Sequence, residues 1–165
     1  ARKKPRRSMN AIVDISNDCN THWVPELSLC EEWLEAGLKV MNQSQKCNIS
    51  LRFVENAAAA ELNKQYRGRQ SATNVLSFPA EFPASFSQHL DFLPLGDIVI
   101  CPEIVEQEAK QQNKELQSHW AHLLIHGLLH LAGFDHDTDE GANSMEALEI
   151  NALKRLGFPN PYLIV

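Results

Sequence analysis

Three histidines stand at His126, His130 and His136, with Gly133 between the second and the third. On a helix, residues four apart share a face, so His126 and His130 point the same way. Glycine takes the left-handed conformation that other residues avoid, so Gly133 allows a sharp turn. That turn swings His136 back over the open side of the pair. The block therefore demands a helix, a reversal and a returning third side chain. Three imidazoles converging on one point make a zinc-type site, and three protein ligands leave a fourth position for water or substrate, as catalytic sites do. One lone histidine would more often be a packed or solvated one. Three at this spacing, with glycine at the turn, favour metal. One zinc ion per chain is the expected cofactor, although other divalent metals also suit imidazole.

The spacing matches the metzincin protease signature H-E-x-x-H-x-x-G-x-x-H, with one departure. The glutamate that serves those proteases as general base is replaced by Gly127. Glycine takes no proton, so peptide hydrolysis by that route is disfavoured while the metal cage survives. The expected catalytic group is then metal-bound water, its pKa lowered by the ion, or a group from elsewhere in the chain. His119 and His122 continue the same helix face. His122, one turn before His126, is a candidate supporting partner, with packing or solvent contact as its alternative; for His119 packing is the simpler reading. Asp135 is a further candidate to orient a histidine. Asp137 with Glu140 three residues on resembles a capping box, so Asp137 is expected to cap the last helix.

Around this block the chain alternates periods. Ala11 to Ile15 is β-prone, and Pro25 is suited to open a helix in which Leu27, Cys30, Trp33, Leu34, Leu38 and Met41 recur at helical spacing. Ile49, Leu51 and Phe53 alternate with polar residues as in a half-buried strand. Ala57 to Tyr66 favours helix, with Gly68 as its terminator. Val75 to Phe78 is a strand closed by Pro79, and residues 79–94 read as an exposed loop. Ile98-Val99-Ile100 suits a strand buried on both faces. Helices follow from Pro102 to about Gln112, from about Ser118 to Ala132, and from Asp137 to Leu156. The order β α β α β β α α α predicts an α/β (α+β) fold, with a single small mixed four-stranded sheet packed by about five helices.

At 165 residues the chain has about one domain's length, and no apolar run approaches a membrane span. The formal charge of −6 is uneven. Residues 1–8 hold five cations and no acid, and read as a basic extension or tag ahead of a native start at Met9. Residues 9–165 are expected to form the single domain. They carry 10 cations against 21 acids, unlike a broad electrostatic binder of nucleic acid. Cys19, Cys30, Cys47 and Cys101 form no C-x-x-C pair, which suits a reducing compartment, and the cytoplasm is expected.

A second cluster is Lys64, Arg67 and Arg69, followed by Thr73-Asn74-Val75-Leu76-Ser77-Phe78-Pro79. A helix end leading through a loop into a strand is a common place for a binding loop, and the guanidinium fork suits phosphate. The alternative is a solvated helix C-terminus, where cations favour the helix dipole. Asn63-x-x-Tyr66-Arg67-Gly68, the Thr73–Pro79 run, Leu95-Gly96-Asp97-Ile98-Val99-Ile100, His119-Trp120-Ala121-His122, the histidine block and Pro161-Tyr162 together resemble the YbeY family, bacterial endoribonucleases of rRNA maturation. The resemblance spans about residues 10 to 162.

That resemblance implies zinc on His126, His130 and His136, and Arg67 as the active-site arginine. Lys64, Arg69, Thr73 and Asn74 are candidate RNA contacts. It implies cleavage of single-stranded RNA at the 3′ end of 16S rRNA and in ribosome quality control. The ribosome or ribosome-associated proteins would then be partners, with no membrane involved. Gln70 departs from the family pattern, where an Asp usually stands. The competing functions are a metalloprotease-like hydrolase and a non-catalytic zinc-binding ribosome assembly factor.

Overall fold

A computed structural model describes residues 9–67, 74–81 and 91–163. Four strands, β1 (Ala11–Asn17), β2 (Cys47–Phe53), β3 (Val75–Pro79) and β4 (Leu93–Ile100), form one sheet in the order β1-β2-β4-β3. β1, β2 and β4 run parallel, and β3 is antiparallel to β4. Among the described residues five helices accompany them: α1 (Leu27–Val40), α2 (Asn56–Arg67), α3 (Pro102–Gln111), α4 (Leu116–Leu131) and α5 (Asp139–Arg155). The mixed four-stranded sheet and its helices are those expected, in the expected order.

The alternation in β2 is strict. Cys47, Ile49, Leu51 and Phe53 are buried, while Asn48, Ser50 and Arg52 are not. In β4 both faces are covered. Ile98 and Ile100 join the large core with α1, α4 and α5, whereas Val99 joins Leu76, Ala59 and Cys101 in a smaller core under α2. Two helical layers therefore sandwich the sheet, and α2 lies on the face opposite α4.

Local boundaries differ from expectation where tertiary pairing overrides a local signal. β4 begins at Leu93, inside the stretch expected to be loop, although Pro94 has no N–H to donate. The register between β2 and β4 jumps there: Asn48 faces Pro94 and Ile49 faces Gly96. This bulge accommodates the proline and lets the strand continue. Pro79 is the last residue of β3, on a sheet edge, where a missing donor is tolerated. α1 starts at Leu27, with Glu26 as its N-cap, so Pro25 precedes the helix and does not open it. Asp137 is not the cap of α5. Thr138 is, its hydroxyl accepting from Gly141 N at 3.0 Å. Thr138 sits three residues before an N–H that needs an acceptor.

α4 is the axis of the fold and touches α1, α3, α5, β3 and β4. Trp120 is fully buried, in edge-to-face contact with Phe53 at 5.3 Å and Trp23 at 6.3 Å. Each such pair adds about 0.5–1.5 kcal/mol beyond its burial. From His119 to Leu131 every residue of α4 is buried except His122, His126 and His130. The i, i+4, i+8 histidine stripe is thus the single opening in an otherwise enclosed segment.

Candidate metal centre

The chain reversal after α4 is a Schellman turn. Gly133 N donates to His130 O and Phe134 N to Leu129 O, both at 3.0 Å. Gly133 sits at φ 96°, and a Cβ there would meet nothing within 4 Å, so the requirement for glycine is conformational. Phe134 packs on the large core and anchors the turn. The turn brings His136 back beside the pair, as expected. Ring centroids of His126 and His130 are 4.6 Å apart, those of His130 and His136 5.2 Å, and those of His126 and His136 5.7 Å.

One donor nitrogen from each of these three rings lies within 4.8 Å of the others. Nε2 of His126 and Nε2 of His130 are 3.1 Å apart. A tetrahedral ion bonded at 2.0–2.1 Å spaces its ligand nitrogens roughly 3.3 Å apart. The residues therefore fit a metal with three protein ligands and a remaining open position. His136 is exposed and the other two are half-buried, so that position faces outward.

The support for His126 comes from Glu149, on α5. Its Oε1 is 3.0 Å from His126 Nδ1. A carboxylate on Nδ1 makes that nitrogen the proton donor and leaves Nε2 with the lone pair a metal needs. The other oxygen, Oε2, bonds His122 Nε2 and accepts from the Tyr162 hydroxyl at 2.7 Å. Glu149 is 1% exposed. Burial pushes its pKa up, but the hydrogen bonds from His122 and His126, the charge of His122 and the Tyr162 hydroxyl outweigh this and bring it down to about 2. Burial and the neighbouring carboxylate push Tyr162 upward, which keeps its hydroxyl a donor.

His122 thus stands beside the three converging histidines, one turn before His126 and bonded to the same carboxylate. Asp135 turns to its own backbone, its Oδ1 accepting from Asp137 N at 3.2 Å. His119 is 4% exposed and bonds Glu108 at 3.2 Å through Nε2. Asn74 Nδ2 donates to the same Glu108 carboxylate at 3.1 and 3.3 Å. Burial raises Glu108, while His119 and Asn74 lower it by more, so its pKa lies below the usual glutamate value. Asn74 therefore lines the groove that holds His119, His122 and His126. Lys64 is exposed on α2. Arg67 ends α2, but its side chain lies outside the described residues, as do Arg69 and Thr73.

Gly127 has a steric reason. A Cβ there would stand 3.0 Å from Ile98 Cγ2 and 3.3 Å from Ser77 Oγ. The Ser77 hydroxyl also donates to Gly127 O at 3.1 Å. This position faces the sheet, so the protease glutamate has no room.

A family profile described as "Endoribonuclease YbeY" matches residues 14–157. The chain belongs to the endoribonuclease YbeY family. Among similar proteins, "Endoribonuclease YbeY" of Colwellia psychrerythraea is 43% identical over 157 residues, covering 94% of this chain and 99% of the relative. The protein of the same name from Nitrosococcus oceani is 48% identical over 130 residues, covering 79% and 82%. The solution structure of TM1509 from Thermotoga maritima shares the fold, with TM-score 0.55 and 24% identity, covering 88% of this chain and 92% of that one. The expected activity is the one that family and both relatives are named for, and the protease alternative is not favoured. No helix among the described residues is long and apolar enough to cross a membrane.

Glu149, Tyr162 and Glu108 escaped the reading of residues by chemistry. Glu149 had a signal: it interrupts the buried stripe Met145, Ala152, Leu153 of α5. A carboxylate within a core stripe is seldom left without a partner. Tyr162 has a signal only in the Pro161-Tyr162 element of the family resemblance, and Glu108 carries no comparable signal.

Proposed function

We propose that the chain is a zinc-dependent endoribonuclease that cuts single-stranded RNA, acting on the 3′ end of 16S rRNA and in ribosome quality control. The observation that carries this is the histidine face, with three imidazole nitrogens converging on one point in a chain of this family. The cytoplasm is the expected location, with the ribosome or ribosome-associated proteins as partners.

His126, His130 and His136 would hold a divalent ion, which would supply Lewis acidity and lower the pKa of a bound water. The protein's own residues do the rest. Glu149 holds the His126 tautomer through Nδ1. Arg67 clamps the scissile phosphate and stabilises charge that develops on it; losing such a contact slows a reaction by about 10²–10³. Asn74, Lys64, Arg69 and Thr73 are the further RNA contacts, with Asn74 beside the histidines in the same groove. The acidic body weakens indiscriminate RNA binding, which suits an enzyme that must spare most RNA.

The test is cleavage of a defined single-stranded RNA by wild type, His130→Ala and Arg67→Ala, with metal content measured on each protein. His130→Ala is expected to lose metal and activity together. Arg67→Ala is expected to keep metal and slow by about 10²–10³. Equal cutting by all three proteins would assign the activity to a contaminant. The ends of the products distinguish hydrolysis from attack by the RNA 2′-hydroxyl.

A further inference from the structure

Two cavities meet at Tyr162. The first, about 350 Å³, is the groove that reaches His126, with Asn74, Glu108, His119 and His122 on its walls. The second, about 440 Å³, lies between the α3–α4 turn and the C-terminal segment, with Asn113, Glu115, Ser118 and Asn160 on its walls. Gln112, Lys114, Pro161 and Tyr162 line both. The second cavity therefore adjoins the histidine groove, with Tyr162 on the wall of both.

Tyr162 has an unusual combination of exposure and fixity. It is 41% exposed, yet its hydroxyl is tied to buried Glu149 at 2.7 Å. Its ring meets that of His122 at 5.5 Å, and His122 in turn lies 6.2 Å from His126. Its backbone N–H is held by Asn160 Oδ1 at 2.9 Å. A ring pinned in this way has little freedom left to lose on binding. Aromatic rings of this kind are the platforms on which the bases of single strands stack.

The surrounding charges select the base over the phosphate. Glu115 on the wall of the second cavity disfavours an anion there, whereas an uncharged base meets no such barrier. Gln112, Asn113 and Asn160 carry amides with donors for a base edge, those of Gln112 and Asn113 adding acceptors. Asn160 has its oxygen committed to Tyr162, so its NH₂ group is the part left to donate. Lys114, where the two spaces meet, is the cation for the strand's backbone.

We propose that Tyr162 and the cavity beyond it form a base-binding subsite, which takes the nucleobase of one nucleotide flanking the scissile phosphate in single-stranded RNA. This rests on the endoribonuclease function proposed above.

The experiment is steady-state cleavage of an oligoribonucleotide with one defined cut site, by the metal-loaded enzyme. An abasic nucleotide is walked through the positions on both sides of the cut. Wild type is compared with Tyr162→Phe and Tyr162→Leu at equal metal content. At one position the abasic substitution is expected to raise the wild-type KM roughly 5- to 150-fold, the usual worth of one stacked base. Tyr162→Leu is expected to raise KM by a similar factor on the intact strand and to add little on the abasic one. Tyr162→Phe keeps the ring for stacking but loses the hydroxyl that pins it to Glu149, so its KM on the intact strand is expected to rise less than that of Tyr162→Leu. A flat abasic walk on wild type overturns the subsite while RNA cleavage stands. So does a Tyr162→Phe defect in KM equal to that of Tyr162→Leu. No cleavage of RNA by metal-loaded wild type overturns the function and the subsite together.

Discussion

Changing Glu149 to Gln keeps the size of the side chain but leaves one acceptor oxygen where there were two. Three donors converge on that carboxylate: His126 Nδ1 at 3.0 Å, His122 Nε2, and the Tyr162 hydroxyl at 2.7 Å. If the single amide oxygen keeps His126, the NH₂ group faces His122 and Tyr162. The hydroxyl can rotate and accept. The His122 imidazole can accept from that NH₂ group only with its proton on Nδ1 alone, which is buried and has no hydrogen-bond partner among the described residues. If the amide is reversed, His126 Nδ1 meets a donor and the tautomer that frees Nε2 is no longer favoured. Either arrangement loses a hydrogen bond to a charged group, worth about 1.5–3 kcal/mol, and strands a buried polar atom at about 1–3 kcal/mol. Partial relaxation leaves an expected net loss of about 2–4 kcal/mol in the metal-free protein. Metal affinity should fall as well, by about 10–100-fold, the usual effect of removing the partner of a ligating histidine. The assays are urea unfolding of the metal-free protein and competition for zinc with a chromophoric chelator. If both stability and affinity match wild type, the carboxylate is not what holds His126, and the reasoning fails.

Other outcomes follow from the same geometry. Gly127→Glu restores the protease signature but pushes a carboxylate against Ile98 and Ser77; it should lose more than about 3 kcal/mol of stability and gain no peptidase activity, and a stable, peptide-cleaving variant would contradict this packing. Chelation of the metal should leave far-UV circular dichroism unchanged and lower the melting temperature only by mass action, because the large core forms without the exposed ligand face; unfolding on chelation would instead favour a structural metal. Glu108 has its pKa lowered in the folded state, mainly by His119 and Asn74 against the opposing effect of burial. A depressed carboxylate stabilises the fold above its unfolded value, near 4.3, and this contribution fades as pH falls through the lower folded value. Glu108→Gln should therefore be less stable by roughly 1.5–3 kcal/mol at neutral pH, converging with wild type in acid unfolding curves, and a gap that persists below both values would point to packing.

The parts of this protein legible in its sequence are those fixed by short-range geometry. The His126–His130 pair depends only on helical period, and the return of His136 only on a glycine able to adopt positive φ. The strict alternation of β2 and the apolar run of β4 declared themselves for the same reason. Errors arose where a local signal met a distant partner. Pro94 reads as loop, yet pairing with β2 across a bulge keeps it in a strand. Asp137 and Thr138 are both capable caps, and only the path of the incoming turn decides between them. Arg67 rests on the sequence and the family resemblance, its side chain lying outside the described residues.

The sequence by itself determined the convergence of His126, His130 and His136, because they lie within eleven residues and one helix–turn unit orients them. It also determined the order of the elements, because hydrophobic period is a local property. Tertiary structure decided what surrounds the triad. Glu149 lies 23 residues from His126, and Tyr162 reaches back 40 residues to His122. No helical or strand period links such positions. They meet because α5 packs along α4 and the chain beyond it folds back over the histidine face. There a carboxylate denied water finds its hydrogen bonds, and the free nitrogen of His126 is fixed as a consequence.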